Sequence, residues 1–221
     1  EDNLIKDISS KGNFFVKNCV IEDDDYITNK NLSLNSNIVI SKNNLKINAS
    51  ELKIENVNFV DLLFNSNQTY WNLESKFEGN IFDVIKNIPQ KFQYLFEEHE
   101  LSGDISASFQ IKKENDFSNP SCNIDFELEN ANYKSKSYPF SLSEIYTTGN
   151  FSNGSARNLN SSIIKFENFK STKKNGKITG ELTVSNFNNL WAEANLYSSW
   201  ELNELNDFIS DSPFKNLKGE I

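Results

Sequence analysis

The side chains in this chain that could do chemistry are few and poorly placed for it. His99 is the only histidine and stands among Glu97, Glu98 and Glu100. A catalytic histidine needs a nucleophile on one ring nitrogen and an orienting group on the other. This one, at the polar end of an expected helix, reads as a solvated surface residue. Cys19 and Cys122 are the two cysteines, and neither has a histidine neighbour in sequence to generate its thiolate. Cys122 falls in phase with Ile124, Phe126 and Leu128, so it reads as a small apolar residue on a buried face rather than half of a bridge to Cys19. The acidic run Glu22-Asp23-Asp24-Asp25 lacks the alternating carboxylates and the glycine of a calcium loop, and reads as a solvated turn. No spaced Cys/His cluster suits zinc, and 8 glycines form no phosphate-cradling loop. No catalytic residue, metal or cofactor is expected, and the chain reads as no enzyme.

Composition narrows the partners. A formal net charge of −9, with Arg157 the single arginine, argues against nucleic acid, because phosphate binding needs clustered cations. About one residue in six is Asn. Asn, Lys, Ile and Phe together suggest an AT-rich genome. In such a sequence the glycosylation patterns at Asn31, Asn48, Asn67 and Asn153 arise by chance. The 18 Phe outnumber 3 Trp and 7 Tyr. Sugar platforms favour the polar-handled rings, so inward Phe points to a core or an apolar groove. No stretch approaches the ~20 apolar residues of a membrane-spanning helix. With no Met and a Gly-Glu-Ile terminus, both ends are expected to be cut from something longer, any anchor lying outside the chain.

The elements that must position these residues are mainly strands. Ile105, Ala107, Phe109 and Ile111 alternate with polar neighbours, as do Cys122, Ile124, Phe126 and Leu128. Ile178, Gly180, Leu182 and Val184 repeat the pattern, and so do Leu190, Ala192, Ala194 and Leu196. Leu45-Ile47-Ala49, Leu52-Ile54 and Val57-Phe59 read as short apolar steps separated by polar corners. Two helical inserts interrupt the strands. Near 80–98, Ile81, Val84, Ile85 and Ile88 share a face, with a break and a second helix expected at Pro89. Near 201–210, Leu202, Leu205 and Ile209 form a short helix that ends before Pro213.

Both inserts lead into one phrase, Leu101-Ser102-Gly103-Asp104-Ile105 and Leu217-Lys218-Gly219-Glu220-Ile221. Ile178-Thr179-Gly180-Glu181-Leu182 is a third copy. The glycine suits a kink or a close backbone approach where the chain enters a strand. The offset of about 116 residues marks a long internal repeat. Residues 1–79 are then a strand-rich segment of the sheet, and 80–221 a repeat unit with a helical lead-in.

This arrangement resembles the AsmA-like family of bacterial envelope proteins, relatives of TamB and of the bridge-like lipid transfer proteins. The resemblance rests mainly on residues 80–221: the helical Asp83–Pro89, the strand opened by Leu101–Phe109, the alternation through Phe126, Tyr138–Ile145, Gly149–Gly154, and Trp200 to Ile221. It implies an extended, twisted antiparallel sheet curled into a groove, of the β-taco or repeating β-groove type. It also implies a periplasmic protein, tethered to the inner membrane by a segment outside this chain. Phospholipid acyl chains would be its partner, moving between the inner and outer membranes without turnover. On that reading Ile105, Ala107, Phe109, Ile111, Ile124, Phe126, Leu128, Leu182 and Val184 line the groove. Alternation alone fits a sandwich core equally well. A structural or adhesive β-repeat scaffold is the alternative, with a carbohydrate-active β-solenoid, whose acidic pair would be distant in sequence, a third.

Overall fold

The computed structural model describes residues 7–21, 27–88, 93, 96–137, 141–173 and 176–199. They form one eleven-stranded antiparallel sheet in which every strand lies beside its sequence neighbours. The strands are β1 (Asp7–Ile21), β2 (Ile27–Ser41), β3 (Asn44–Ile54), β4 (Val57–Ser66), β5 (Tyr70–Asn80), β6 (His99–Glu114), β7 (Ser121–Ser135), β8 (Ser141–Ser152), β9 (Ile163–Lys173), β10 (Gly176–Ser185) and β11 (Trp191–Ser199). The helix α1 (Ile81–Asn87) follows β5 directly. Among the described residues the sheet is not closed, because β1 pairs only with β2 and β11 only with β10. The architecture is therefore the expected one: mainly β, an extended twisted sheet curled as a groove.

Local chemistry explains the meander. Side chains alternate between an apolar and a polar face, and Asn, Ser and Lys make the turns. In the β4–β5 turn the Asn67 side chain accepts the backbone N–H groups of Thr69 and Tyr70, closing the bend with its own amide. Asn153 does similar work, accepting from the Cys122 N–H and donating to the Pro120 carbonyl. At the head of α1, Asn80 accepts the Phe82 N–H as its N-cap.

The curl comes from bulges. Asp61, Asn130, Glu144 and Asn168 have left-handed φ values of 53°, 48°, 50° and 53°, and each lies at a register shift between neighbouring strands. An inserted residue bends its strand and steepens the local twist. Asn and Asp tolerate the left-handed region best. Opposite these four stand Ser75, Gly103, Ser171 and Thr147, all small. Two of them also bond the bulge: Ser75 Oγ donates to the Val60 carbonyl at 2.9 Å, and Thr147 Oγ1 to that of Glu167 at 2.8 Å.

Several local expectations change. The corner expected between Ala49 and Leu52 is a bulge inside β3, where the pairing with β2 slips between Asn35 and Ser36. His99 opens β6 instead of ending a helix. The second helix expected from Pro89 falls largely outside the described residues. The insert at 201–210, the Gly219 phrase and the acidic run Glu22–Asp25 lie outside them entirely.

Candidate functional site

The register assembles one residue from every strand into a single row. Phe14 faces Leu34, then Leu52, Phe59, Phe77, Ala107, Phe126, Gly149, Phe166, Leu182 and Ala194 follow strand by strand. No member is polar. A parallel row beside it runs Phe109, Ile124, Phe151, Ile164, Val184 and Ala192 across β6 to β11. Directly opposed residues in an antiparallel sheet point to the same side, so these rows form one continuous apolar face.

All nine positions singled out in the sequence lie on this face. Ile105 faces Leu128, Ala107 faces Phe126, Phe109 faces Ile124, and Ile111 faces Cys122. Leu182 and Val184 join them through Phe166 and Ile164. Ala107 is buried and the other eight are half-buried. Their surroundings differ. Ile105 and Leu128 pack against the cluster of Ile81, Ala131 and Ile145, where α1 lies on the sheet, so one flank of the face is covered. Phe126 and Phe109 have no second layer above them among the described residues. The register also brings to this face four residues outside the groove set expected from sequence: Phe59, Phe77, Phe151 and Phe166.

Aromatic rings fill the face by leaning together. Phe59 and Phe109 stand on strands two apart yet their centroids are 6.1 Å apart, edge to face. Phe126 and Phe166 meet at 5.6 Å across Gly149. Strands two apart are separated by about 9.6 Å of backbone, so the rings converge over the strand between. Gly149 makes this possible: a Cβ there would stand 2.5 Å from the Phe126 ring and 2.1 Å from the Lys165 carbonyl oxygen. Phe187, in the β10–β11 loop, closes on Phe151 at 6.1 Å.

Titratable groups play another role. Burial pushes the Cys122 thiol up, as suits an inert apolar filler, and Cys122 is a free cysteine. Five strands lie between it and β1, which carries Cys19. His99 is exposed; its Nδ1 lies 3.1 Å from the Tyr133 hydroxyl and its ring stacks on that ring. His99 and Cys122 stand at opposite ends of the β6–β7 pair. On the polar face the Glu74 carboxyl is held below its ordinary range by hydrogen bonds from Asn72, then Gln110. A shallow depression of about 800 Å³ between Thr69, Tyr70, Asn72, Gln110, Lys112 and Glu114 is a gap between side chains standing on a twisted sheet.

The lone arginine is structural. The Arg157 guanidinium donates to Glu114 at 2.6 Å and lies 3.6 Å above the Phe117 ring, joining the β8–β9 loop to the β6–β7 loop. Only Arg offers both a planar fork and a stacking face.

Comparison of the chain with protein-family models, with curated proteins and with solved structures finds no match.

Proposed function

We propose that this chain is a segment of a lipid conduit of the bacterial envelope. Its apolar face shields phospholipid acyl chains, and the segment works in the periplasm, supporting phospholipid movement between inner and outer membranes without turning lipid over chemically. The observation that carries this reading is the uninterrupted row from Phe14 to Ala194, half-buried through its middle and without a second layer above it among the described residues. Each acyl CH₂ exposed to water costs about 0.8 kcal/mol. A row with no polar member lets a chain lie or slide along it without that cost returning at any strand.

The scaffold alternative has one observation in its favour: Ile105 and Leu128 already pack against a buried cluster that includes Ile81 of α1. Phe126→Asp separates the two readings. In a conduit, phospholipid co-purifying with the wild-type protein, read by native mass spectrometry, falls several-fold in the variant while far-UV circular dichroism is unchanged. In a scaffold whose face is covered, the buried carboxylate unfolds the protein by roughly several kcal/mol. Wild-type protein that never carries phospholipid would sink the conduit.

A further inference from the structure

Among the described residues, the two edges of the sheet are finished differently. The β1 edge carries Lys11 and Lys17, and its pairing with β2 slips between Val16 and Cys19. Charge and irregularity of this kind keep an edge from recruiting another strand. The β11 edge has no register slip and a single charge, Glu193. Its nine residues, Trp-Ala-Glu-Ala-Asn-Leu-Tyr-Ser-Ser, contain no Lys and no Pro and pair with β10 without a shift. All nine are exposed, Trp191 at 70% and Tyr197 at 72%. A long edge with an unbroken register and exposed rings is a template for one more strand.

We infer that β11 pairs antiparallel with β11 of a second copy, about a two-fold axis through Ala194. The strand is self-complementary about that residue. With Ala194 opposite itself, Trp191 faces the second copy's Tyr197, Ala192 faces its Leu196, and Glu193 faces its Asn195. Aromatic stands against aromatic and small against large. The one acid meets a neutral amide, whereas centring the axis one residue earlier would oppose two Glu193 side chains, which is destabilising. The four rings remove on the order of 600 Å² from water, and the backbone ladder brings the contact towards the ~1,000 Å² of a specific interface. The axis is perpendicular to the sheet, so Ala192, Ala194 and Leu196 of both copies stay on one side. The apolar face of the first copy then continues into the second.

The test is cysteine crosslinking in the full chain with Cys19 and Cys122 replaced by serine. Directly opposed Cβ atoms lie about 4.5–5.5 Å apart, within reach of a disulfide after small adjustment. Ala194→Cys is expected to give a covalent dimer under mild oxidation. Glu193→Cys and Asn195→Cys are each expected to give no covalent dimer alone and to crosslink when mixed. Because these positions are exposed, circular dichroism should not change. In light scattering the wild-type chain should show a concentration-dependent dimer, and Trp191→Lys should weaken it at least tenfold. Three results would each overturn the inference: a wild-type chain monomeric at hundreds of micromolar, a crosslink through Asn195→Cys alone, or β11 protected from hydrogen exchange in a monomer, which would assign the edge to the chain's own following segment.

Discussion

At the scale of single residues, this sheet depends on small polar side chains set against its bulges. Thr147 is 0% exposed, and its hydroxyl donates at 2.8 Å to the Glu167 carbonyl, just before the left-handed Asn168. Valine has nearly the same shape and no donor. Thr147→Val should therefore cost about 0.5–1.5 kcal/mol by removing this bond and leaving the Glu167 carbonyl only the longer 3.4 Å contact from Thr148 Oγ1, read as a lower midpoint in urea with an unchanged slope. A milder effect than Thr147→Ser would contradict this, because serine keeps the donor and loses only a methyl. The Arg157 clamp makes a prediction about acid. Hydrogen bonds from Lys112, then Arg157, hold the Glu114 carboxyl below its ordinary value of 4.5. A carboxyl depressed in the folded state stabilises the fold above its unfolded value, and that contribution disappears as pH falls through the lower, folded value. Wild type and Arg157→Ala should therefore differ in Tm at neutral pH. The gap should narrow as the pH drops below 4.5. A gap that stays constant into acid would mean the clamp works only through stacking on Phe117.

At the scale of elements, the glycine phrase read from the sequence has a mechanical basis at both described copies. Gly103 has φ +117°, and a Cβ there would stand 2.4 Å from the Ala131 Cα; Gly180 has φ +147°, with the Asn195 carbonyl oxygen 2.0 Å from such a Cβ. Each collision is with backbone of the next strand and leaves no rotamer escape. Gly103→Ala and Gly180→Ala should each destabilise by about 2 kcal/mol or more, with Gly103 the costlier because β6 is internal and β10 lies one strand from an edge. Gly12→Ala, whose Cβ meets nothing within 4 Å, is the control, expected within about 0.5 kcal/mol of wild type. The same elements show what was legible in the sequence. Strands β6, β7, β10 and β11 could be read because their apolar phase holds over 105–111, 122–128, 178–184 and 190–196. In β4 the phase passes from Val57 and Phe59 to Leu62 and Phe64 at the Asp61 bulge. In β9 it passes from Ile164 and Phe166 to Phe169 at Asn168. A period-two reading loses such strands midway, which is why Phe166 escapes it and Phe59 reads only as the end of a short step. The opening helix was legible from Ile81, Val84 and Ile85. Charge alone suggests a helix end at His99 and does not say that the next element is β6.

At the scale of the whole molecule, the consequence of a meander is a continuous apolar row, which on the proposed conduit reading serves as a track. Eleven strands in sequence order span ten spacings, so the row from Phe14 to Ala194 is about 48 Å long at ~4.8 Å per strand. A bilayer's hydrocarbon core is about 30 Å thick, so one leaflet's acyl chain extends about 15 Å. The row therefore has room for about three chains end to end, more than a pocket holding one lipid would take. Charges placed at different points along it separate a track from a pocket. Leu52→Asp and Leu182→Asp stand towards opposite ends, and Phe126→Asp stands near the middle. On a track, each end charge removes one flank and leaves most of the run. Native mass spectrometry should then show reduced but persistent lipid in both end variants. The central charge breaks the longest continuous run and should cause the largest loss, together with the slowest lipid transfer between donor and acceptor vesicles. With a single pocket, one of the three substitutions would abolish binding and the other two would leave it untouched.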